Sequence, residues 1–243
     1  MNDAEKGNRI LKLYGLSESS ITEVLKDLFN NRDDITWTAS SLPREDHIVV
    51  SLGGNNKPVL DTAEQKVLDL IGTYVFASDN RSMEEVVGNM LSERSLTISV
   101  AESCTGGLIG NLLTNAPGSS FYFLGGIIAY SNKSKEDLLN VSSETLKKHG
   151  AVSSQTVREM AEGVKKQFNS HMGLAVTGIA GPDGGSEEKP VGTVFLGLAV
   201  ENEIFSAKYR FHGDRGQVKE KSATMALDWI RRCLKGDPLI PGI

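Results

Sequence analysis

The spacing of apolar residues over the first eighty positions predicts a small unit of strands and two helices. Apolar residues recur at helical spacing over 21–28, behind a serine cap at Ser17 or Ser19. A second helix is predicted at 60–71, after a turn at 53–56 that is rich in glycine and asparagine. Strands are predicted at 9–14, 35–39, 48–52 and 74–77. The polar run at 78–82 then marks the end of this unit.

From position 81 onward, short apolar runs alternate with longer segments of helical spacing. The predicted strands lie at 96–100, 126–130, 173–177, 193–200 and 204–211, and the last two form a hairpin. The predicted helices lie at 83–93, 106–113, 135–139, 143–149 and 216–234, and Gly150 is the predicted C-cap of the fourth. A further helix is predicted to begin after a cap at Ser153 or Ser154. We therefore predict two domains: a small α+β domain at 1–80, and an α/β domain at 81–243 with a mixed central sheet covered by helices.

The negative charge of the chain lies in its first eighty residues, which carry thirteen Asp and Glu against eight Lys and Arg. Positions 81–243 hold eighteen of each and are neutral overall. The element order of the first domain is similar to KH-like folds, but it has no Gly-x-x-Gly loop, and a net charge of −5 repels phosphate backbones. We therefore expect a structural role for this domain and no nucleic-acid partner.

The cysteines, histidines and apolar runs exclude several other classes of protein. Two cysteines, Cys104 and Cys233, are too few for a disulfide framework in a chain of this length. The four histidines are scattered and lack metal-ligand spacing. No run approaches the roughly 18 apolar residues that a membrane helix requires, and the polar start is unlike a signal peptide. We expect a cytoplasmic protein without metal and without membrane association.

Three polar residues stand at or just beyond the ends of predicted strands: Ser103, Tyr130 and Thr177. Ligands of α/β sheets bind at the carboxyl ends of the strands, so we expect these side chains to share one crevice. Ser103 also precedes a helix, whose first N–H groups can hold an oxyanion or a phosphate. A serine nucleophile needs a base, and no Asp–His pair has local spacing. Lys133 or Lys135 can serve if burial or neighbours lower its pKa.

Each of these features also has a purely structural interpretation. A serine before a helix is more typical of a helix cap, and Cys104 is typical of a small buried side chain. Lysines at a helix start are usually solvated, and the glycine-rich segment 178–185 is typical of a flexible loop. Arg215 is unfavourable beside a helix N-terminus, which suits it better to binding an anion. The catalytic interpretation is favoured because five such features fall on one edge of the predicted sheet.

Six motifs between 101 and 215 form a distinctive set. They are Ala-Glu-Ser-Cys-Thr-Gly-Gly at 101–107, Pro-Gly-Ser-Ser at 117–120, Tyr-Ser-Asn at 130–132 with Lys135, His-Gly-Ala-Val-Ser at 149–153, the glycine-rich block at 177–193 and Gly-Asp-Arg at 213–215. By these motifs, residues from about 82 to 234 resemble the C-terminal domain of the CinA (competence/damage-inducible) family, which includes nicotinamide-nucleotide amidases. The first eighty residues resemble, less sharply, the small module that precedes this domain in longer CinA proteins.

The resemblance implies hydrolysis of nicotinamide mononucleotide to nicotinic acid mononucleotide and ammonia, without a metal or organic cofactor. It implies an acyl-enzyme at Ser103, with Lys135 as general base and Tyr130 assisting. The residues implied for substrate binding are Thr105, Gly106 and Gly107 as backbone donors, Asn132, Thr177 and Gly178 in the pocket, and Arg215 for the phosphate. It also implies a homo-oligomer. No activity of the further N-terminal domain of longer CinA proteins is carried over to this chain.

Two alternatives to a serine amidase stay open on the sequence. A non-catalytic nucleotide-binding or regulatory module of the competence or DNA-damage response would bind a nucleotide without turning it over. A thiol mechanism would use Cys104 in place of Ser103. Within the serine mechanism, the spacing leaves open whether Lys135 or Lys133 is the base and which nucleotide amide is preferred.

Overall fold

The structure, a computed structural model, describes residues 7–30, 32–41 and 47–240. They form two compact units, and the division falls between Val86 and Val87, a few residues after the boundary predicted from the sequence. Each unit has a hydrophobic core of its own. Within the described residues, no helix combines the length and the apolar character needed to cross a membrane.

The first unit is an antiparallel sheet packed against two helices. Its strands are β1 (Gly7–Leu13), β2 (Ile35–Ser41), β3 (Ile48–Gly54) and β4 (Val75–Ala77), and its helices are α1 (Glu18–Phe29) and α2 (Lys57–Ile71). The strand order is β2-β3-β1-β4. Ser17 is the cap of α1, where its side chain accepts the N–H of Ser20 at 3.1 Å. The sequence also predicts a loop around Pro43, between β2 and β3, and that loop lies outside the described residues.

From α3 (Met83–Glu93) onward, strands and helices alternate around a five-stranded sheet. The strands are β5 (Ile98–Glu102), β6 (Phe123–Ile128), β7 (Met172–Gly178), β8 (Thr193–Val200) and β9 (Glu203–Arg210). The helices are α4 (Leu108–Asn115), α5 (Asn132–Leu139), α6 (Ser143–His149), α7 (Ser154–Phe168) and α8 (Arg215–Lys235), with a single 3₁₀ turn at Ser119–Phe121. The predicted caps at Gly150 and Ser153 are both present.

The sheet of the second unit is mixed, with strand order β6-β5-β7-β8-β9. Strand β5 runs parallel to β6 and β7, whereas β8 is antiparallel to β7 and to β9. Helix α7 packs across β5, β7, β8 and β9, while α4 and α8 pack against each other and against the sheet. This arrangement confirms the predicted α/β class. Because β5, β6 and β7 are parallel, their carboxyl ends meet at one edge, and the candidate residues follow these ends.

Strand β6 begins three residues before the segment 126–130 that the sequence predicts, and it ends at Ile128. The prediction was wrong because two central glycines weaken the strand pattern. In the structure, the Phe168 ring lies 2.5 Å from where a Cβ on Gly125 would stand, and Val100 lies 2.6 Å from that of Gly126. The glycines therefore let neighbouring side chains pack directly on the strand. Because β6 ends at Ile128, Tyr130 lies in the turn after β6 rather than at the strand end.

Candidate active site

Ser103 lies in the turn between β5 and α4, where hydrogen bonds from both neighbouring strands hold the backbone. Its N–H donates to the carbonyl of Val176 in β7 at 3.1 Å. On the other side, the N–H of Ala129 donates to the carbonyl of Glu102 at 2.8 Å. The Ser103 residue is 8% exposed. The parallel sheet thus fixes the serine at the edge while leaving its hydroxyl accessible from one side.

The carboxylate of Glu102 caps the N-terminus of α4. Oε2 accepts the N–H groups of Gly107 at 2.9 Å and Ile109 at 3.2 Å, and Oε1 accepts that of Gly110 at 2.8 Å. Glu102 is 2% exposed, so water does not compete for these donors. A buried anion here satisfies groups that a helix start leaves unpaired and faces the positive end of the helix dipole. Glu102 therefore holds the turn that carries Ser103.

Lys135 reaches Ser103 from α5, the helix that follows β6. Its Nζ lies 3.1 Å from Ser103 Oγ, 2.7 Å from the carbonyl oxygen of Ala129 and 3.2 Å from that of Tyr130. Lys135 is 1% exposed. Burial lowers the pKa of its ammonium, because the charged form loses water, while Cys104 opposes the shift. Burial therefore raises the share of the neutral amine, the form that can accept a proton, relative to an exposed lysine.

The three contacts of Lys135 are all contacts to oxygen atoms. Its Nζ donates to Ser103 Oγ and to the carbonyl oxygens of Ala129 and Tyr130. An ammonium with three N–H groups satisfies all three contacts. Once Nζ has lost a proton, its lone pair can only face the Ser103 hydroxyl, because carbonyl oxygens cannot donate.

Lys133 has a different environment, although it lies only two positions away on α5. Its side chain is 81% exposed and pairs with Asp137 at 2.7 Å. This pairing raises the pKa of Lys133, which favours the charged form. Of the two lysines that the sequence left open, the structure brings Lys135 to Ser103 and turns Lys133 toward solvent.

A cavity of about 170 Å³ opens beside the Ser103–Lys135 pair. Its lining residues are Ser103, Cys104, Tyr130, Lys135, Ala151, Val152, Thr177, Gly178, Ala180 and Arg215. Arg215, the first residue of α8, donates to the carbonyl of Gly181 at 2.7 Å and to the hydroxyl of Tyr130 at 3.3 Å. Thr177 donates to the carbonyl of Ala151 at 2.9 Å. The cavity therefore gathers the predicted residues from four separate segments of the chain.

The cavity also includes Cys104, the alternative nucleophile. Burial raises the pKa of its thiol to about 12, because the thiolate would lose its hydration, and nearby Glu102 adds to the effect. The thiolate is the nucleophilic form of cysteine, so this thiol is unreactive near neutral pH. This environment disfavours a mechanism through Cys104 and leaves Ser103, with Lys135 beside it, as the candidate nucleophile.

The other residues predicted to bind substrate differ in where they lie relative to the cavity and in whether their N–H groups are free. Asn132 is exposed at the start of α5 and does not line the cavity. The N–H of Gly107 already donates to Glu102, and that of Thr105 faces the sulfur of Cys104, whereas that of Gly106 has no partner within the described residues. The hydroxyl of Thr105 is buried and has no hydrogen-bond partner in that part of the chain. The first-turn donors of α4 are thus largely occupied, and the N–H of Gly106 remains in the turn before it.

Glu102 had no predicted role, although it ends a buried strand shortly before a helix start. A carboxylate at such a place is typical of a helix cap, so the sequence could have indicated this role. Among the residues that the structure describes, no group of three or more His, Cys, Asp or Glu side chains is placed to hold a metal ion.

Comparison with known proteins identifies the family of the second unit. Residues 80–234, more than half of the chain, match the CinA C-terminal domain. The chain belongs to the CinA family. The CinA-like protein of Thermotoga maritima is 42% identical over 229 residues, which is 93% of this chain and 56% of that protein. The CinA-like protein of Kosmotoga olearia is 39% identical over 231 residues, again 93% and 56%. The chain thus spans about half the length of these curated relatives.

Solved structures of the CinA superfamily share the fold of this family. A superfamily protein from Klebsiella pneumoniae matches with a TM-score of 0.62 and 30% identity, covering 63% of this chain and 96% of that one. The competence/damage inducible protein CihA from Agrobacterium tumefaciens matches with a TM-score of 0.60 and 37% identity, covering 65% and 99%. The matched share of this chain has about the size of the second unit. The names of these proteins specify no reaction.

Proposed function

We propose that the second unit is an amide hydrolase that converts nicotinamide mononucleotide to nicotinic acid mononucleotide and ammonia. The observation that carries the proposal is the buried Lys135 amine, 3.1 Å from Ser103 Oγ, with its pKa lowered by burial. A serine beside a neutral amine is an activated nucleophile. The family resemblance supplies the substrate. The cytoplasmic location and the homo-oligomeric state stay predictions from the sequence.

In the acylation step, Ser103 Oγ attacks the carboxamide carbon while its proton moves to Lys135 Nζ. The proposed donors for the developing oxyanion are the N–H of Gly106, which has no partner within the described residues, and that of Thr105, which faces the Cys104 sulfur. When the tetrahedral intermediate collapses, the C–N bond breaks and Lys135 returns the proton to the leaving nitrogen. Ammonia departs, and the nicotinoyl group is held as an ester on Ser103.

In the deacylation step, water enters the place of the departed ammonia and attacks the ester carbon. Lys135 again takes a proton, this time from water, and gives it to Ser103 Oγ as the C–O bond breaks. The products are the pyridine carboxylate and the restored serine. The carbonyl of Tyr130 orients Lys135. The side chain of Tyr130 lines the cavity, where its hydroxyl accepts a hydrogen bond from Arg215.

Ammonia release from nicotinamide mononucleotide by the purified chain tests the proposal, with Ser103→Ala and Lys135→Met as variants. Each should lower kcat by roughly a hundredfold to ten-thousandfold, because nucleophile and base are both required. Lys133→Met is the matched control, since it removes a lysine from the same helix whose side chain faces solvent. It should release ammonia at the wild-type rate. Undiminished release by Ser103→Ala would exclude the serine mechanism.

A second candidate function is a nucleotide-binding module without turnover. It is favoured by the names of the structural relatives, which refer to competence and damage rather than to a reaction. Calorimetric titration with nicotinamide mononucleotide, together with the ammonia assay, separates the two. Binding without any ammonia release by the wild-type chain would favour the module, and measured turnover would remove it as the main function.

A further inference from the structure

Two of the six sequence motifs contribute apolar residues to the cavity. The linker, residues 149–153, joins α6 to α7 and contributes Ala151 and Val152. The loop, residues 179–192, joins β7 to β8 and contributes Ala180. The cavity measures only about 170 Å³, so a small change in the distance between linker and loop changes which ligand fits. What holds the loop to the linker therefore matters for binding.

Two carbonyl oxygens of the linker accept hydrogen bonds from the other motif. That of Ala151 accepts the hydroxyl of Thr177 at 2.9 Å, and Thr177 belongs to β7, where strand pairing fixes its place. That of His149 accepts Lys189 Nζ at 2.9 Å. Lys189 belongs to the loop, which lies between the paired strands. Among the hydrogen bonds of the described residues, this one alone joins the loop to the linker.

The end of α6 suits a lysine side chain. His149 is the last residue of α6, and the carbonyls at a helix end lack partners within the helix. Lysine side chains near such an end can donate to these carbonyls. Gly150 follows with a φ of +77°, and a Cβ there would lie 3.7 Å from Lys189 Nζ. Lys189 is half-buried, so its bond to His149 is partly shielded from water.

The loop presents Lys189 from a hydrogen-bonded turn. At the base of the loop, the N–H of Ile179 donates to the carbonyl of Thr193 at 2.8 Å. Farther out, the N–H of Ser186 donates to the carbonyl of Lys189 at 3.0 Å, and the N–H of Lys189 donates to the hydroxyl of Ser186 at 3.1 Å. The backbone is thus shaped before the side chain reaches α6, which lowers the entropy that the Lys189 bond must overcome.

We propose that Lys189 is a positioning residue, which holds the loop against the end of α6 and so fixes the width of the cavity. This inference rests on the proposed amidase function for its substrate. Lys189 makes no hydrogen bond to Ser103 or Lys135 within the described residues. It therefore acts on how well the substrate is held and leaves the reacting groups in place.

The kinetics of ammonia release test this role in Lys189→Met. Without the bond, the loop should leave α6 part of the time, and KM for nicotinamide mononucleotide rises by the inverse of the fraction still in place. A roughly tenfold rise is expected for the loss of one hydrogen bond from a charged group. The value of kcat should stay within about twofold, because Ser103 and Lys135 keep their contacts.

Two further variants make the kinetic result specific. Lys189→Arg can donate to the same carbonyl and should restore most of the wild-type KM. Lys148→Met is the matched control, since Lys148 is exposed in the last turn of the same helix, and it should keep the wild-type KM. An unchanged KM in Lys189→Met would overturn the proposal while the amidase function stands, and so would a loss confined to kcat.

Cleavage by a glutamate-specific protease tests the same bond without any turnover. Glu187 and Glu188 are exposed on the loop next to Lys189. Because cleavage requires the segment to open, Lys189→Met should be cut there roughly tenfold faster than the wild type, and Lys189→Arg and Lys148→Met at about the wild-type rate. Mass spectrometry identifies the fragments, and peptides of residues 180–193 correct for the changed recognition sequence.

Equal cleavage of Lys189→Met and the wild type, after this correction, would overturn the proposal. If cleavage behaves as expected but the wild type releases no ammonia, Lys189 still holds the loop and the proposed function fails. Urea midpoints of the variants show whether each one is folded.

Discussion

Replacing Glu102 with glutamine tests whether the buried carboxylate holds the nucleophile turn. The substitution keeps the size of the side chain but removes its charge and one of its two acceptor oxygens. In the best arrangement, the remaining oxygen keeps the N–H groups of Gly107 and Ile109. The new amide nitrogen then faces the N–H of Gly110 at the present distance of 2.8 Å, which sets one donor against another.

The expected loss of stability follows from these contacts. A buried hydrogen bond to a charged group contributes about 1.5 to 3 kcal/mol, and a charge at a helix N-terminus contributes about 0.3 to 2 kcal/mol. Because Glu102 is 2% exposed, water cannot replace the lost acceptor. We therefore expect Glu102→Gln to lower the free energy of unfolding of the second unit by about 2 to 4 kcal/mol.

The two tryptophans allow this loss to be measured in one unit alone. Trp37 lies in β2 of the first unit, and Trp229 is buried in α8 of the second, where its Nε1 donates to Tyr209 at 2.8 Å. In a Trp37→Phe background, fluorescence during urea unfolding reports the second unit only. A loss of 2 to 4 kcal/mol should lower the urea midpoint by roughly 1 M or more, given an m-value of about 1 to 3 kcal/mol/M.

Glu159→Gln is the matched control, since Glu159 also accepts a helix-start N–H, that of Ser142, at 2.8 Å. Glu159 is only half-buried, so water can replace the lost acceptor and the cost should stay near or below about 1 kcal/mol. Amidase activity should also fall in Glu102→Gln, because a shift of the Ser103 turn misplaces the nucleophile, and should persist in Glu159→Gln. Equal urea midpoints for the two variants would refute the conclusion that the Glu102 carboxylate holds this turn.

Three further predictions follow from the ionisable groups of the site. The value of kcat/KM should rise with pH up to the lowered pKa of Lys135, so a pH–rate profile should reach its plateau below pH 10.5; an acid limb centred on 10.5 would contradict this. The stability of Lys135→Met relative to the wild type should decrease as pH rises from the folded pKa of Lys135 toward 10.5, because burial of the ammonium destabilises the wild type at lower pH and both states carry the neutral amine above 10.5. Urea unfolding at several pH values measures it, and a relative stability that increases with pH would contradict the sign. Iodoacetamide should alkylate Cys104 far more slowly at pH 8 than it alkylates glutathione, because the pKa of the thiol is raised to about 12; mass spectrometry follows the label, and equal rates would refute its burial.

The sequence was sufficient to predict the candidate residues that lie at or just after the ends of strands. Ser103, Tyr130 and Thr177 come from three parallel strands, and the strand-end rule was sufficient to predict that they meet. Patterns of apolar residues do not determine the direction of a side chain, so the choice between Lys133 and Lys135 stayed open until α5 was placed. A helix turns by about 100° per residue, and two positions are enough to separate a buried side chain from a solvated one.

The prediction was weakest where the result depends on contacts between distant segments. The register of β6 depends on the Phe168 ring that fills the space beside Gly125, and no local pattern reveals that contact. The free N–H groups expected at the start of α4 are taken by Glu102, because a strand-end carboxylate can turn back onto the following helix.

The charges of the second unit are divided in a way that suits its proposed reaction. Glu102 neutralises the positive end of α4, so that helix does not place strong positive charge next to Lys135. Arg215 lines the same cavity and has no carboxylate within ion-pair distance among the described residues. Burial lowers the pKa of Lys135. The pyridinium charge of nicotinamide mononucleotide would lower this pKa further once the ring is bound. The acid limb of kcat, which reports the bound enzyme, should therefore lie at lower pH than that of kcat/KM, which reports the free enzyme. The opposite order would mean that the ring binds away from Lys135.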